Sequence, residues 1–190
     1  MNLLAVLPFY GATASRFLVD AFERIGCRVF RVGALYDEHL GMKWEEQEMP
    51  KVDIILPKNS NWHIDTYIDM ATRAGYTPDL VAISEESYNN AIVNTEKVPS
   101  FLWSMDGWPA NFERVEMIRP TIAYQNHPLG IRIHPRTEED PRWKFLPSAT
   151  APWIHKYLGL ERDYDFCLFA TMYGKRQEIC EELAKKRYRV

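Results

Sequence analysis

Asp106 closes the run Phe101-Leu102-Trp103-Ser104-Met105-Asp106, a mostly apolar stretch of strand type that ends on a single carboxylate. A carboxylate at the end of a buried strand is placed to take a proton from a hydroxyl, which is general-base chemistry. The residues that follow, Gly107-Trp108-Pro109, also suit a turn and a helix start, with Asp106 as the cap. Trp108, like Trp103, offers a flat face for stacking on a ring, and equally an aromatic for the core. Asn59, Asn61 and His63 make a second group, just after the apolar run Val52–Leu56. Their amides suit the hydroxyls of a polar ligand, and His63 is an alternative base. The same three residues also read as an ordinary capped helix start. A third group, Tyr10, Gly11 and Thr13, lies between the first apolar run and a helical stretch. Backbone N–H groups at such a junction favour anions, while Thr13 and Ser15 serve as well for capping.

None of these groups has metal-ligand spacing. His63 and Asp65 are two residues apart and would point to different sides of a helix, and His127 and His134 flank prolines with no third ligand. No metal site and no cofactor are expected. The loop after the first run is neither a G-x-G-x-x-G nor a P-loop, since the lysine of the latter is missing. Asp163-Tyr164-Asp165 spells D-x-D but sits where a strand should begin, the wrong end for a ligand. There is no G-x-S-x-G.

The elements that must position these residues alternate along the chain. Leu3–Leu7 is a continuous apolar run, as for a strand covered on both faces. After it, Phe17, Leu18, Ala21, Phe22 and Ile25 recur at helical spacing, and Gly26 stops the helix. Further strands are expected at Arg28–Val32, Val52–Leu56, Pro78–Ile83, Val98–Met105 and Thr121–Tyr124. Helices are expected from Ile64 to Gly75, over Ser84–Thr95 and from Pro109. The fold class is α/β: a doubly wound, Rossmann-like parallel sheet of about six strands. In such sheets ligands collect beyond the carboxyl ends of the strands, where Tyr10, Asn59 and Asp106 all fall.

From Asn126 the rhythm changes to a proline-punctuated stretch, with one strand at Trp143–Leu146 and a short helix near Pro152–Leu158. A strand at Asp165–Met172 and a helix at Gly174–Lys186 follow. The organisation read from this is a Rossmann-like domain over residues 1–126, a wrapping segment and linker over 127–162, and the first strand and helix of a second α/β domain over 163–190.

Composition sets the class of protein. Of 190 residues, 46% are hydrophobic and 26% charged, as in a globular chain, and the formal net charge of −3 gives no electrostatic case for nucleic acid. Cys27, Cys167 and Cys180 show no paired spacing, and the apolar start breaks at Pro8, too short for export or for spanning a membrane. A cytoplasmic setting is expected. Homo-oligomerisation is left open.

In segment order the chain resembles the acceptor-side, N-terminal half of GT-B glycosyltransferases, closest to the spore-maturation-type enzymes of bacteria and phages. Three stretches carry the resemblance. Val98–Asp106 resembles the family's strand ending in aspartate. Trp143-Lys144-Phe145-Leu146-Pro147-Ser148-Ala149, with His155, resembles its linker. Asp163-Tyr164-Asp165-Phe166 through Gly174 and Arg176 resembles the opening of the donor domain. The resemblance implies a nucleotide sugar as co-substrate, a hydroxyl acceptor, Asp106 or His63 as base, and Gly174 and Arg176 near the donor diphosphate. It also implies that the acidic contacts to the nucleotide sugar lie outside this sequence, so that the chain alone is inactive. The other reading is a non-catalytic α/β module that binds a small polar ligand or a protein, such as a phage inhibitor or regulator.

Overall fold

The computed structural model describes residues 1–9, 14–33, 51–56, 64–84, 97–104, 118–126, 140–147 and 175–188. The helices expected from Pro109 and near Pro152–Leu158, and the strand at Asp165–Met172, fall on residues outside these, as does the helix expected at Ser84–Thr95 except for Ser84, which ends a strand instead. The chain divides into two compact units, Met1–Ala151 and Pro152–Val190.

The first unit is built on strands β1 (Asn2–Val6), β2 (Arg28–Gly33), β3 (Ile54–Ile55), β4 (Leu80–Ser84), β5 (Ser100–Ser104), β6 (Ile122–Gln125) and β7 (Trp143–Phe145), with helices α1 (Ala14–Arg24) and α2 (Ile64–Arg73). The strands form one sheet in the order β3-β2-β1-β4-β5-β6-β7. Every pairing is parallel. The α/β parallel fold read from the sequence is thus the one observed, with one strand more: Trp143–Phe145 continues the sheet beside β6.

Alternation along the strands explains why helices cover both faces. Leu4 and Val6 of β1 share a core with Val81 and Ile83 of β4, Leu102 of β5, and Ile64, Tyr67, Ile68 and Ala71 of α2. Their neighbours Ala5 and Leu7 pack instead with Val19 of α1, and Leu3 lies against Leu18 and Phe22. A strand with apolar side chains on both faces has no solvent side, which is why β1 reads as an unbroken apolar run. Leu3, Leu4 and Leu7 are each fully buried, worth about 2 kcal/mol apiece. α1 ends at Arg24, and Ile25, expected on the sheet-facing side, is 74% exposed. Gly26, at φ +86°, turns the chain there, with the Cys27 N–H bonded to the Phe22 carbonyl at 3.0 Å. Ile25 therefore sits in the cap and is turned off the helical face.

The amino ends of the strands are stitched together pair by pair. The Asn2 N–H donates to the Asp79 carboxylate at 2.7 Å, and the Asp79 N–H returns to the Asn2 carbonyl at 2.8 Å. Tyr76 Oη lies 3.0 Å from the Leu3 carbonyl and 2.6 Å from that of Arg28, bridging β1 and β2 with its one proton. Burial raises the phenol's pKa. Asp53 and Arg31 join β3 to β2 through a backbone–carboxylate bond of 2.7 Å. Ser100 and Thr121 exchange N–H to hydroxyl bonds of 3.0 and 3.3 Å. At the entry to β7, Asp140 accepts the Arg142 N–H at 3.0 Å and the Arg142 guanidinium at 2.6 to 3.0 Å. That guanidinium bond is the main cause of the lowered Asp140 pKa.

In the second unit the described element is helix α3 (Arg176–Lys185), which has no buried residue. It ends on Arg187 at φ +65°, with the Tyr188 N–H reaching the Leu183 carbonyl at 3.2 Å.

Candidate functional site

The strand order fixes where a ligand belongs. β1 has β2 on one side and β4 on the other, so the chain winds outward in both directions from the β1–β4 junction. The crevice at the carboxyl ends of the strands beside that reversal is the binding position of open parallel sheets.

The exit of β1 is shaped by close approach. Leu7 still bonds to the Val32 carbonyl at 3.0 Å. Pro8, with no N–H, cannot extend the ladder, and Leu7, Pro8 and Phe9 are all buried. Gly33 ends β2 against this turn: a Cβ there would lie 1.8 Å from the Leu7 carbonyl oxygen and 2.8 Å from Phe9 Cδ2. Only a residue without a side chain lets the two exits pass so closely.

The exits of β4, β5 and β6 are buried and polar. Ser84, Ser104 and Gln125 are each wholly inaccessible. Alternation puts Ser104 and Gln125 on the α2 face of the sheet with Leu102 and Ala123, and Ser84 on the α1 face with Ala82. Ser104 and Gln125 are in register. The Gln125 amide donates to Ser104 Oγ at 3.2 Å, and the Asn126 N–H donates to the Ser104 carbonyl at 3.2 Å. Buried amides and hydroxyls are costly unless engaged. Three of them at successive exits of one sheet mark its polar end, and all are neutral groups suited to hydroxyls and amides rather than to proton transfer.

The first turn of α1 adds Ser15, which is 1% exposed and whose hydroxyl makes no hydrogen bond among the described residues. That turn holds no acid, unlike the first turns of α2 and α3, which carry Asp65 and Glu178.

Most residues singled out from the sequence, namely Tyr10, Gly11, Thr13, Asn59, Asn61, His63, Asp106, Trp108 and Gly174, lie outside the described residues. Their places in the chain are bracketed by described elements. Residues 10–13 run from the β1 exit to α1, 57–63 join the segment after β3 to α2, and Asp106 comes two residues after the end of β5. Arg176 opens α3 in the second unit and is half-buried. Sequence reasoning did not single out Ser84, Ser104, Gln125 or Asn126. Their signal was a polar residue at the last position of an apolar run, repeated on three strands that prove to be neighbours.

Among the described residues, no three His, Cys, Asp or Glu side chains are grouped so as to hold a metal ion. No described helix is long and apolar enough to cross a membrane. The raised phenol pKa values of Tyr67 and Tyr76 come from burial in the core. Compared with known proteins, the chain matches no family model, no curated protein and no solved structure.

Proposed function

We propose that the strand exits around the β1–β4 junction bind a small polar ligand, and that the chain is the acceptor-side half of a nucleotide-sugar-dependent GT-B glycosyltransferase. The observation that carries this is the all-parallel order β3-β2-β1-β4-β5-β6-β7 with buried polar side chains at its carboxyl end. The three sequence stretches that resemble the spore-maturation-type enzymes supply the reaction class. In this reading Asp106, two residues past Ser104, takes the proton of the acceptor hydroxyl as the sugar is transferred, with His63 the alternative base. Ser84, Ser104 and Gln125 orient the acceptor's hydroxyls, and Asn59, Asn61, Tyr10 and Trp108 complete its surroundings. Gly174 and Arg176 meet the donor diphosphate, and no metal or cofactor is required.

A second reading, a non-catalytic module for a small polar ligand or a partner protein, is favoured by the chemistry of the exits: the described residues there bring hydrogen-bonding groups and no ionisable one. One pair of measurements separates the two. A thermal-shift screen against nucleotides and nucleotide sugars finds the ligand, since a molecule bound only by the folded form raises the melting temperature. Asp106→Asn then keeps binding in both cases. For the transferase it abolishes turnover, measured with the acceptor and whatever donor half the reaction needs. Turnover that survives in Asp106→Asn and is lost in His63→Gln moves the base to His63. Turnover in neither wild type nor variants, with binding intact, leaves the module.

A further inference from the structure

Ser15, in the first turn of α1, is 1% exposed. It shares one face of α1 with Val19, four residues on, and Val19 packs on Ala5, Leu7 and Phe9 at the end of β1. Its hydroxyl is buried one turn closer to the helix start and, among the described residues, has no partner. A buried donor left unpaired costs free energy in the empty protein, so its presence calls for a group that fills it. The surroundings favour an anion. The first N–H groups of a helix have no partners inside it and carry the positive end of the helix dipole. No acid in this turn offsets that charge. Arg16, in the same turn, is half-buried and makes no ion pair among the described residues.

We infer that the first turn of α1, with the Ser15 hydroxyl as donor and Arg16 as countercharge, receives a phosphoryl group. This rests on the strand-exit site proposed above but not on the transferase reading. A phosphorylated acceptor, a nucleotide and free phosphate all present the same chemistry, three oxygens that accept charge-assisted hydrogen bonds.

The test uses the full chain and its Ser15→Ala and Arg16→Gln variants, with melting temperature followed against inorganic phosphate at constant ionic strength. Phosphate should raise the wild-type midpoint saturably. Each variant should need about ten-fold more phosphate for the same shift. Ser15→Ala should also melt higher than wild type without phosphate, because the unpaired hydroxyl is gone. No saturable response, or an equal response in all three proteins, overturns the inference. So does a Ser15→Ala protein that melts lower than wild type and responds to phosphate unchanged, for then the hydroxyl serves an internal water. Uridine monophosphate and glucose 6-phosphate as further probes identify the source: the one bound tighter than phosphate, with the same loss in both variants, is the natural carrier. Phosphate binding without any effect of a nucleotide sugar would remove the transferase and leave this site standing.

Discussion

The two ends of the sheet are made differently. At the amino end, polar side chains tie neighbouring strands, Asp79 to Asn2, Tyr76 to the carbonyls of Leu3 and Arg28, Asp53 to Arg31 and Ser100 to Thr121, while Asp140 holds Arg142 locally at the entry to β7. Charged carboxylates carry several of these ties, and each closes on backbone. At the carboxyl end the buried side chains are neutral: Ser84, Ser104 and Gln125, and in the first turn of α1 Ser15, whose hydroxyl has no partner among the described residues. One end uses charged carboxylates, a phenol and hydroxyls to hold the strands in register, while the other places uncharged groups at the mouths of the strands, Gln125 bonded to Ser104 across β5 and β6. Substitutions at the amino end should therefore change stability alone, and those at the carboxyl end should change ligand response.

The largest effect is expected at Gly33→Ala, where the added carbon would meet the Leu7 carbonyl oxygen at 1.8 Å. The β1 exit must move, at about 3 kcal/mol, so chemical denaturation should show a lower midpoint and ligand response should fall with it. Gly33 is the position where the two kinds of effect coincide. Asp79→Ala should cost about 1.5 kcal/mol, the worth of a hydrogen bond to a charged acceptor, or a few degrees of melting temperature for a chain of this size. Ligand response in that variant should equal wild type, and a loss would blur the division between the ends.

Asp140 gives the comparison a pH signature. Its folded pKa is lowered by Arg142, so its contribution is fully present above the unfolded value of about 4 and is lost as pH falls through the folded one. Asp140→Asn should cost about 1 kcal/mol at neutral pH. It should differ little from wild type once the pH lies below both pKa values, which melting curves across the acid range will show. The smallest stability change belongs to the double variant Ser104→Ala with Gln125→Leu. Removing both partners of a buried hydrogen bond is close to neutral, within about 1 kcal/mol. Its ligand response should nevertheless be lost, as measured by the same thermal shift.

The fold was legible because β1, β4 and β5 are apolar on both faces, and only a sheet covered on both sides uses such strands. The seventh strand was harder to place. Trp143-Lys144-Phe145 has strand character, but the proline-rich sequence around it suggested a linker, and membership of a sheet is a long-range property that no local pattern carries. Ile25 misled for the opposite reason: its spacing continued the apolar stripe of α1, while Gly26 had already turned the backbone. Ser104 and Gln125 were invisible as a pair because they lie 21 positions apart in the chain and only the pairing of β5 with β6 brings them into register. Asp106, His63 and their companions were chosen by residue type at expected strand exits. The exits of β1 and β5 are where that reasoning put them, and the side chains beyond them were chosen on chemistry alone.

The most direct test of the division between the ends is backbone-amide chemical-shift mapping of the full chain with a nucleotide sugar, uridine diphosphate glucose, and separately with inorganic phosphate. Perturbations should gather at Leu7, Phe9, Ser15, Ser84, Ser104 and Gln125, and spare Asn2, Tyr76, Asp79, Ser100 and Thr121. Perturbations centred on the second group, with the first unmoved, would contradict a ligand site at the carboxyl ends of the strands.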